Sequence, residues 1–161
     1  MKYRFCPICG SYLNTKDKSS LPSCPSGHYT VQSQLGVEVA PIIARKGAIV
    51  LERNKEGGWN LPTATVQASA SPVHTIRELT QSIVLCEVNV GALVNLRSTK
   101  NACTLFYEAE PENTGTLAIA HQWFSIDSIP WNNITNNVHR EVLVTWVQQH
   151  VSKTRTLVSV S

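Results

Sequence analysis

The stretch that most restricts the fold of this chain covers residues 59–85. It begins as a strand end and a tight loop at residues 59–62, and a polar connection then leads into a predicted helix. Ser71 is suited to cap that helix, and Pro72 suits its first turn, where a backbone N–H is not needed. Apolar residues recur there at three- and four-residue steps, so one stripe of the helix should face a core: Val73, Ile76, Leu79 and Ile83.

This loop and helix resemble the signature of the Nudix superfamily, G-x5-E-x7-R-E-U-x-E-E-x-G-U, in which U is a bulky aliphatic residue. The pattern is anchored on Arg77, Glu78 and Leu79, and the spacing, the Trp-x-Leu-Pro lead-in and the apolar stripe are kept. The other positions differ from the pattern: Thr63 and Val84 stand for the glycines, Ser69 for the first glutamate, and Gln81 and Ser82 for the Glu-Glu pair. We therefore predict a degenerate Nudix box.

The resemblance covers nearly the whole chain and implies an α/β fold, the Nudix-type α/β/α sandwich with a mixed sheet. Runs rich in Val and Ile predict strands at residues 36–45 and 48–53, joined by a hairpin turn at Lys46-Gly47. Further strands are predicted at residues 87–97, 102–110 and 117–124. A final helix should begin at Asn136 or Asn137 and run to about Val151, packing Val138, Val142 and Trp146.

The first 33 residues carry two predicted metal-binding turns. Cys6 and Cys9 form a Cys-x2-Cys pair that Gly10 helps to close, and Cys24 and His28 form a Cys-x3-His pair further along. This set of thiol and imidazole ligands fits a tetrahedral Zn²⁺ site of the zinc-ribbon type. Because four protein ligands leave no open position, the zinc is predicted to be structural, and so short a segment needs it to fold. The predicted domains are a ribbon at residues 1–33, a Nudix-like domain at residues 34–152 and a tail at residues 153–161.

Two other interpretations of these cysteines stay open. The residues could form disulfides, but disulfides are typical of secreted proteins and no apolar signal region precedes Cys6. A three-cysteine site is the second alternative, with His28 merely starting the next strand. It stays open because ribbons more often close with a second Cys-x2-Cys pair, and Gly27 occupies that position here.

The composition limits the partners. The 161 residues fit one ordinary domain with a small appendage, and a hydrophobic fraction of 42% supports a packed core. The net charge of +3 is modest and comes from residues 1–30, which does not favour nucleic acid as a partner. No apolar run approaches the roughly 20 residues that cross a bilayer, so no membrane partner is predicted. The start of the chain has no signal region, and we expect a cytoplasmic protein.

The box residues decide which chemistry is predicted. The resemblance implies Mg²⁺ ions that are held on box glutamates and that help water to cut a diphosphate. Glu78 is the one box glutamate that remains, and Gln81 and Ser82 offer only neutral oxygens. Mg²⁺ binding is therefore in doubt. Glu78 is predicted either as a remaining catalytic residue or as a structural partner of Arg77.

Two functions of different classes follow. The first is a Nudix-like domain that holds a nucleotide-diphosphate-type ligand or a partner with little or no hydrolysis. Its predicted ligand-binding residues are Arg53, Trp59, Arg77, Gln81 and Ser82. The second is a Mg²⁺-dependent diphosphohydrolase acting on a nucleoside diphosphate linked to another moiety. It would draw atypical metal ligands from Glu52, Glu56, Glu108 or Glu110, and His121 could serve as its base.

The N-terminal ribbon is similar to that of the NADH pyrophosphatase-like Nudix enzymes. Their Ser-Gln-Pro-Trp-Pro-Phe-Pro motif is absent from this chain, which disfavours NADH as a substrate. Ribbon-bearing relatives are often dimers, so the resemblance makes a homodimer a candidate assembly.

Overall fold

The structure is a computed structural model that describes residues 4–14, 22–28, 36–98 and 102–158, with the side chains of residues 152–158 excepted. The chain divides into two compact units, Met1–Leu35 and Gly36–Ser161. The domain boundary predicted at residues 33–34 lies outside the described residues. Within the described ranges, no helix is long and apolar enough to span a membrane.

The second unit is built on a seven-stranded mixed sheet in the order β3-β2-β1-β6-β5, with β4 paired to β1 and β7 paired to β2. β1 and β6 run parallel, and the other pairings are antiparallel. The strands are β1 (Gly36–Arg45), β2 (Ala48–Arg53), β3 (Trp59–Asn60), β4 (Ala64–Thr65), β5 (Val88–Ser98), β6 (Ala102–Pro111) and β7 (His121–Ser125). The two opening strands have their predicted bounds, and Lys46 and Gly47 form the hairpin turn with φ values of 48° and 74°.

Each face of the sheet buries its own core. On one face the buried cluster contains Ala40, Ile42, Phe106, Val142, Leu143 and Trp146. On the other face it contains Val39, Ile43, Ile76, Ile83 and Ala109. Because successive strand residues point to opposite faces, alternate residues of β1 enter different cores. The first core receives the helix α2 (Asn137–Val158) and the second receives α1 (Pro72–Val84). The predicted α/β/α sandwich is thereby confirmed.

The predicted strand at residues 117–124 is wrong in its first half. β7 begins only at His121, because the chain turns before it: Ala120 has a φ of 71°, and His121 donates its backbone N–H to the Ala118 carbonyl at 3.2 Å. Ala118 in turn donates its N–H to the Ile83 carbonyl of α1 at 2.8 Å. The segment therefore closes the end of α1 instead of extending the sheet.

α1 begins as predicted but presents a slightly different stripe. The Ser71 hydroxyl oxygen accepts the backbone N–H of His74 at 3.1 Å, and Pro72 occupies the first turn. Val73, predicted to face the core, is exposed, whereas Thr80 is buried. The buried residues of α1 therefore begin at Ile76, after the first turn, because the core packs against the helix from there to its end.

The end of α1 gives a stability prediction. Leu85 follows the helix in the left-handed conformation, with φ 54°, and its side chain is 65% exposed. That conformation costs a non-glycine residue about 1–2 kcal/mol, and little burial is lost when the side chain is removed. We expect Leu85→Gly to raise the free energy of unfolding by up to about 1 kcal/mol after the added freedom of the unfolded chain is counted. Urea unfolding followed by tryptophan fluorescence measures this change.

Two variants control this comparison. Leu85→Ala keeps the left-handed strain and should give no gain. Val84→Gly places glycine where the Nudix pattern has it, but Val84 is buried inside the helix, so this change should lower the free energy of unfolding by about 2 kcal/mol. If Leu85→Gly destabilises the protein as much as Val84→Gly does, the assigned helix end is wrong.

α2 extends further than predicted. Asn136 caps it: the Asn136 side-chain oxygen accepts the backbone N–H of Val138 at 3.0 Å and that of His139 at 3.3 Å. Val142 and Trp146 are buried, as predicted. The helical backbone continues to Val158, so part of the predicted tail at residues 153–161 belongs to this helix.

Candidate functional site

Four side chains that could hold a metal ion converge in the N-terminal unit: Cys6, Cys9, Cys24 and His28. One ligand atom from each lies within 4.8 Å of the others, and the sulfur atoms of Cys9 and Cys24 are 3.6 Å apart. In a tetrahedral site with Zn–S bonds of about 2.3 Å, two sulfur ligands are roughly 3.8 Å apart. A disulfide needs an S–S bond of about 2.05 Å, and all five cysteines are free thiols. The cluster can therefore hold a metal ion, and the disulfide interpretation does not fit.

Two tight turns present these ligands. Gly10 donates its N–H to the Cys6 carbonyl at 2.9 Å, and Gly27 donates to the Cys24 carbonyl at 2.9 Å. Both glycines have positive φ, 70° at Gly10 and 72° at Gly27, a region that side-chain-bearing residues rarely adopt. Each turn closes over its cysteine, so the two turns hold their ligands on the same centre.

The cysteines differ in their surroundings. Cys6 and Cys24 are buried with Leu13, whereas Cys9 is exposed. Burial raises the pKa of Cys6, because a thiolate without water or a cation beside it is unfavourable. Hydrogen bonds from the Ser11 hydroxyl and backbone N–H lower the pKa of Cys9 to about 6. A metal cation at the centre of the cluster would supply the positive charge that stabilises the Cys6 thiolate.

A second candidate site is a cleft of about 550 Å³ in the Gly36–Ser161 unit, which we name the Arg53 cleft. Its walls come from β1, β2, the end of β5, the start of β6 and the first turn of α2. The lining residues are Glu38, Glu52, Arg53, Asn54, Lys55, Asn60, Leu61, Thr63, Arg97, Ala102, Thr104, Asn136, Val138 and His139. Three of these side chains are cationic and two are carboxylates, so the lining of the cleft has a small net positive charge.

Arg53 is supported by an aromatic pair. Its guanidinium carbon lies 6.0 Å from the centre of the Trp59 ring, at the limit of a cation–π contact. Trp59 in turn packs edge-on against Phe124, with ring centres 4.9 Å apart. The two rings thus form an aromatic support beside the Arg53 guanidinium, and the Arg53 side chain stays exposed.

Asparagine side chains fix the start of α2 against β3. The Asn60 side-chain oxygen accepts the backbone N–H of Asn136 at 2.8 Å, and the Asn60 amide donates to the Thr135 hydroxyl at 2.9 Å. Asn136 then caps the helix. These bonds place the first turn of α2 in the wall of the cleft.

His139 is the buried polar residue of this wall. Its side chain is 6% exposed, and its ring meets Phe106 edge-on with centres 5.7 Å apart. Its Nδ1 atom is buried and has no hydrogen-bond partner among the described residues. Burial lowers the pKa of His139 to about 4, so the ring is neutral near pH 7 and adds no charge to the cleft.

Comparison with known proteins identifies the fold. No protein-family model matches the chain, and no curated protein sequence does either. Among solved structures, a Nudix hydrolase from Nitrosomonas europaea superposes with a TM-score of 0.69 and 20% identity, over 91% of this chain and 92% of that chain. A UDP-X diphosphatase gives a TM-score of 0.56 at 19% identity over 78% of this chain and 68% of that chain. An ADP-ribose pyrophosphatase from Streptococcus suis gives 0.52 at 13% identity over 68% and 90%.

The chain has the Nudix fold. The first of these matches takes in more than the Gly36–Ser161 unit, which accounts for 126 of the 161 residues, or about 78%. The similarity to that Nudix hydrolase thus includes part of the N-terminal unit.

The Nudix-fold helix α1 lies outside the Arg53 cleft. Glu78, the only acidic residue of α1, places Oε1 3.2 Å from Nε2 of His74, and both side chains are more than half exposed. The side-chain amide of Gln81 donates to Glu87 at 2.9 Å, and the hydroxyl of Ser82 donates to the Leu79 carbonyl at 2.7 Å. The structure thus brings Arg53 and Trp59 together, but Arg77, Gln81 and Ser82 do not line the same cleft.

The acids considered as replacement metal ligands are dispersed over the Nudix fold. Glu52 lines the Arg53 cleft, and Glu56 is exposed on the loop before β3. Glu108 accepts a hydrogen bond from Trp146 at 2.8 Å, and Glu110 pairs with Arg45 at 3.4 Å; neither lines the Arg53 cleft. Within the described ranges, the Cys6–His28 cluster is the one group of three or more acidic, histidine or cysteine ligands close enough to share a metal ion.

Several residues of the Arg53 cleft were not predicted from the sequence, among them Glu38, Arg97 and His139. Glu38 had a signal in the sequence, because it is the only acidic residue of β1. Arg97 reaches the cleft through the pairing of β5 with β6, and His139 through the bonds that tie the start of α2 to Asn60. Neither arrangement is visible in local sequence.

Proposed function

We propose that this Nudix-fold protein binds a nucleotide-diphosphate-type ligand in the Arg53 cleft and hydrolyses it slowly or not at all. The observation that carries the proposal is a cleft with three cationic side chains and, within the described residues, no cluster of three acidic ligands beside it. Cations favour phosphate, and arginine binds it through paired N–H donors. A volume of about 550 Å³ lies within the roughly 300–1,000 Å³ of small-molecule sites.

The choice of ligand class is supported by the similar structures. One is named as an ADP-ribose pyrophosphatase and another as a UDP-X diphosphatase, so the same fold accommodates nucleoside diphosphates joined to a second group. In the Arg53 cleft, Arg53, Lys55 and Arg97 would meet the phosphates, and the neutral Asn60 and His139 would meet uncharged parts of the ligand.

We expect weak hydrolysis because too few carboxylates are clustered to hold divalent ions. Breaking a phosphoanhydride requires divalent ions that neutralise the phosphate oxygens and activate water. Such ions are held by clustered carboxylates, and neutral oxygens such as those of Gln81 and Ser82 do not offset an ion's charge. The one carboxylate of α1 is paired with His74 instead.

The proposal is tested by binding without metal. We expect ADP-ribose to raise the thermal stability of the wild type, and Arg53→Gln to weaken ADP-ribose binding by about tenfold or more, since a hydrogen bond to a charged group contributes about 1.5–3 kcal/mol. Isothermal titration calorimetry measures the affinity. Arg140→Gln removes an exposed arginine that bonds to Asn137, outside the cleft, and should leave the affinity unchanged. Equal losses in the two variants would refute a phosphate-binding role for Arg53.

A second candidate function is an active hydrolase with atypical metal ligands. It is favoured by the presence of two carboxylates, Glu38 and Glu52, in the same cleft, because Mg²⁺ is often bound by one or two protein carboxylates together with substrate phosphates. Phosphate release is measured with Mg²⁺ or Mn²⁺ from ADP-ribose, dinucleotide coenzymes and nucleoside triphosphates. Turnover that is abolished by Glu52→Gln or Glu78→Gln would establish hydrolase activity and refute the proposal that the protein only binds its ligand.

We further propose that the metal ion of the N-terminal unit is Zn²⁺ with a structural role. Three thiols and one imidazole are ligands that zinc prefers, and four protein ligands leave no position for a substrate. The N-terminal unit would then be stabilised by the ion and would take no part in chemistry at the Arg53 cleft.

A further inference from the structure

The face of the sheet that carries α1 has an apolar area toward the starts of β1 and β6. The core under α1 includes Ile43 and Ala109, which lie opposite each other on β1 and β6. Nearer the starts of these strands, the same face presents further apolar side chains. We name this surface the Leu96 face, and its residues are Val37, Leu93, Leu96, Cys103, Leu105 and Tyr107.

The strand register places the β5 and β6 members of the Leu96 face side by side. Leu105 and Tyr107 pack against the core under α1, which fixes the face to which they point. Leu96 lies opposite Leu105, and Leu93 lies opposite Tyr107. Residues that lie opposite each other on neighbouring strands share a face of the sheet. The two leucines therefore extend the apolar surface onto the outermost strand.

β1 continues the same surface on the other side of β6. Val37 precedes the buried Val39 by two residues, so both point to the α1 side of the sheet. Val37 lies opposite Cys103, and Cys103 precedes Leu105 by two residues. The Leu96 face is thus continuous across three neighbouring strands.

The Leu96 face is open to solvent in the described part of the chain. Val37 is 36% exposed, Leu93 48% and Leu96 51%, and the other three members are partly exposed. Single exposed apolar residues are ordinary, whereas a contiguous apolar surface on a sheet marks a contact site. The exposure of these neighbouring side chains therefore calls for a partner.

The chemistry of the Leu96 face limits that partner. None of its members is charged, whereas the opposite face of the same strands carries Glu38 and Arg97 in the Arg53 cleft. A strongly charged partner would lose hydration at the Leu96 face and gain no ion pair. An apolar partner surface is favoured instead.

The edge of β5 is a poorer contact than the face. β5 is the last strand on its side of the described sheet, so its outer edge has no strand partner there. Its pairing register shifts between Val90 and Leu93 and again between Leu93 and Asn95. Such irregularities bend an edge strand and oppose the addition of another strand. We therefore expect contact through side chains of the Leu96 face and not through backbone pairing along β5.

A second copy of this chain is the partner that these properties favour. In a two-fold contact the same surface meets itself, so a charged surface would repel its copy and an uncharged apolar surface does not. The centres of homodimer interfaces are also more apolar than other protein surfaces. A second copy is moreover present wherever the protein itself is present, whereas any other partner has to be supplied.

The size of the Leu96 face indicates a weak dimer. Three strands about 4.8 Å apart and five residues long, at about 3.3 Å per residue, span roughly 240 Å². A standard interface buries about 800 Å² per partner. The Leu96 face would therefore supply the apolar centre of the interface, and polar residues around it would supply the rest.

We propose that the Leu96 face is a homodimer interface, in which two copies pack their Leu96 faces against each other about a two-fold axis. The dimer forms in the micromolar range of concentration. Its contact lies on the opposite side of the sheet from the Arg53 cleft, so it stands whether or not that cleft binds a nucleotide.

Sedimentation velocity of the full chain tests the dimer. From about 1 to about 200 μM, which brackets the dissociation constant of a small interface, we expect the wild type to change from monomer to dimer. Leu93→Glu and Leu96→Glu should each raise the dissociation constant about tenfold or more, because each copy would bring an unpaired carboxylate into the contact. Both leucines are about half exposed, so each variant should unfold at nearly the wild-type urea concentration when it is monomeric.

Two further variants are the controls. Leu96→Met keeps an apolar side chain of similar volume and should keep the dimer. Ile119→Glu places the same charge at a residue that is 97% exposed and outside the Leu96 face, and it should leave the dissociation constant unchanged. The proposal is overturned if the wild type stays monomeric over the whole range, if Ile119→Glu weakens the dimer as much as Leu96→Glu, or if a variant with both Leu93→Glu and Leu96→Glu dimerises like the wild type.

Discussion

Removal of the zinc ion proposed for the N-terminal unit should unfold that unit and leave the Gly36–Ser161 unit folded. The buried core of the described part of the N-terminal unit consists of Cys6, Leu13 and Cys24, two of which are metal ligands. So small a core does not offset the conformational entropy of ordering a segment of this length. A structural zinc site contributes on the order of 10–16 kcal/mol in small peptides, which is enough to decide folding.

Cys9→Ser is the variant that tests this expectation. It removes a thiolate that the Ser11 hydrogen bonds favour, and we expect zinc content to fall from about one ion per chain to well below that. Trypsin should then cut within Met1–Leu35 much faster. All four tryptophans lie in the Gly36–Ser161 unit, so tryptophan fluorescence should show that this unit unfolds at nearly the wild-type urea concentration.

Two further variants define the ligand set. Cys86→Ser changes a cysteine outside the N-terminal unit and should keep one zinc ion per chain. His28→Ala separates a four-ligand site from a three-cysteine site, because only the first loses zinc affinity on this change. If Cys9→Ser keeps its zinc and its resistance to trypsin, the ligand assignment is wrong.

Local patterns in the sequence were sufficient for most of the scaffold. Runs rich in Val and Ile predicted β1 and β2 to the residue, because both strands are packed between cores on the two faces of the sheet. Ser71 and Asn136 marked the two helix starts, since their side chains satisfy backbone N–H groups that no helix residue can satisfy. The cysteine spacing also predicted the two turns that bring Cys6, Cys9, Cys24 and His28 together, because each motif is complete within a few residues.

The Arg53 cleft could not be predicted in this way. Glu38 and Thr104 are 66 residues apart in sequence and meet only because β1 and β6 run parallel. Glu108 was considered as a metal ligand, but the strand turns its side chain toward α2, where Trp146 and His150 hold it. Which side chains meet across a sheet depends on the order and register of the strands. No short stretch of the sequence determines that order.

The second large effect is expected when the pH is lowered. His139 has an ordinary pKa of about 6.5 in the unfolded chain and a pKa of about 4 in the folded protein, because burial excludes the water that would solvate its charge. Below about pH 6.5 the unfolded chain therefore binds a proton that the folded protein does not. The stability contributed by neutral His139 is complete above that pH and is lost as the pH falls toward 4. Between about pH 7 and 4.5 the loss should be about 2–3 kcal/mol.

His139→Phe isolates this contribution, because it keeps a ring against Phe106 and removes the titration. We expect urea unfolding of the Gly36–Ser161 unit, followed by tryptophan fluorescence, to show a loss between the two pH values that is smaller than the wild-type loss by that amount. His74→Gln removes an exposed histidine and should reproduce the wild-type dependence. Equal losses in wild type and His139→Phe would mean that His139 is solvated in the folded protein. Its ring would then be charged in mildly acidic solution and would add a fourth cation to the Arg53 cleft, where ligand phosphates would bind more tightly as the pH fell.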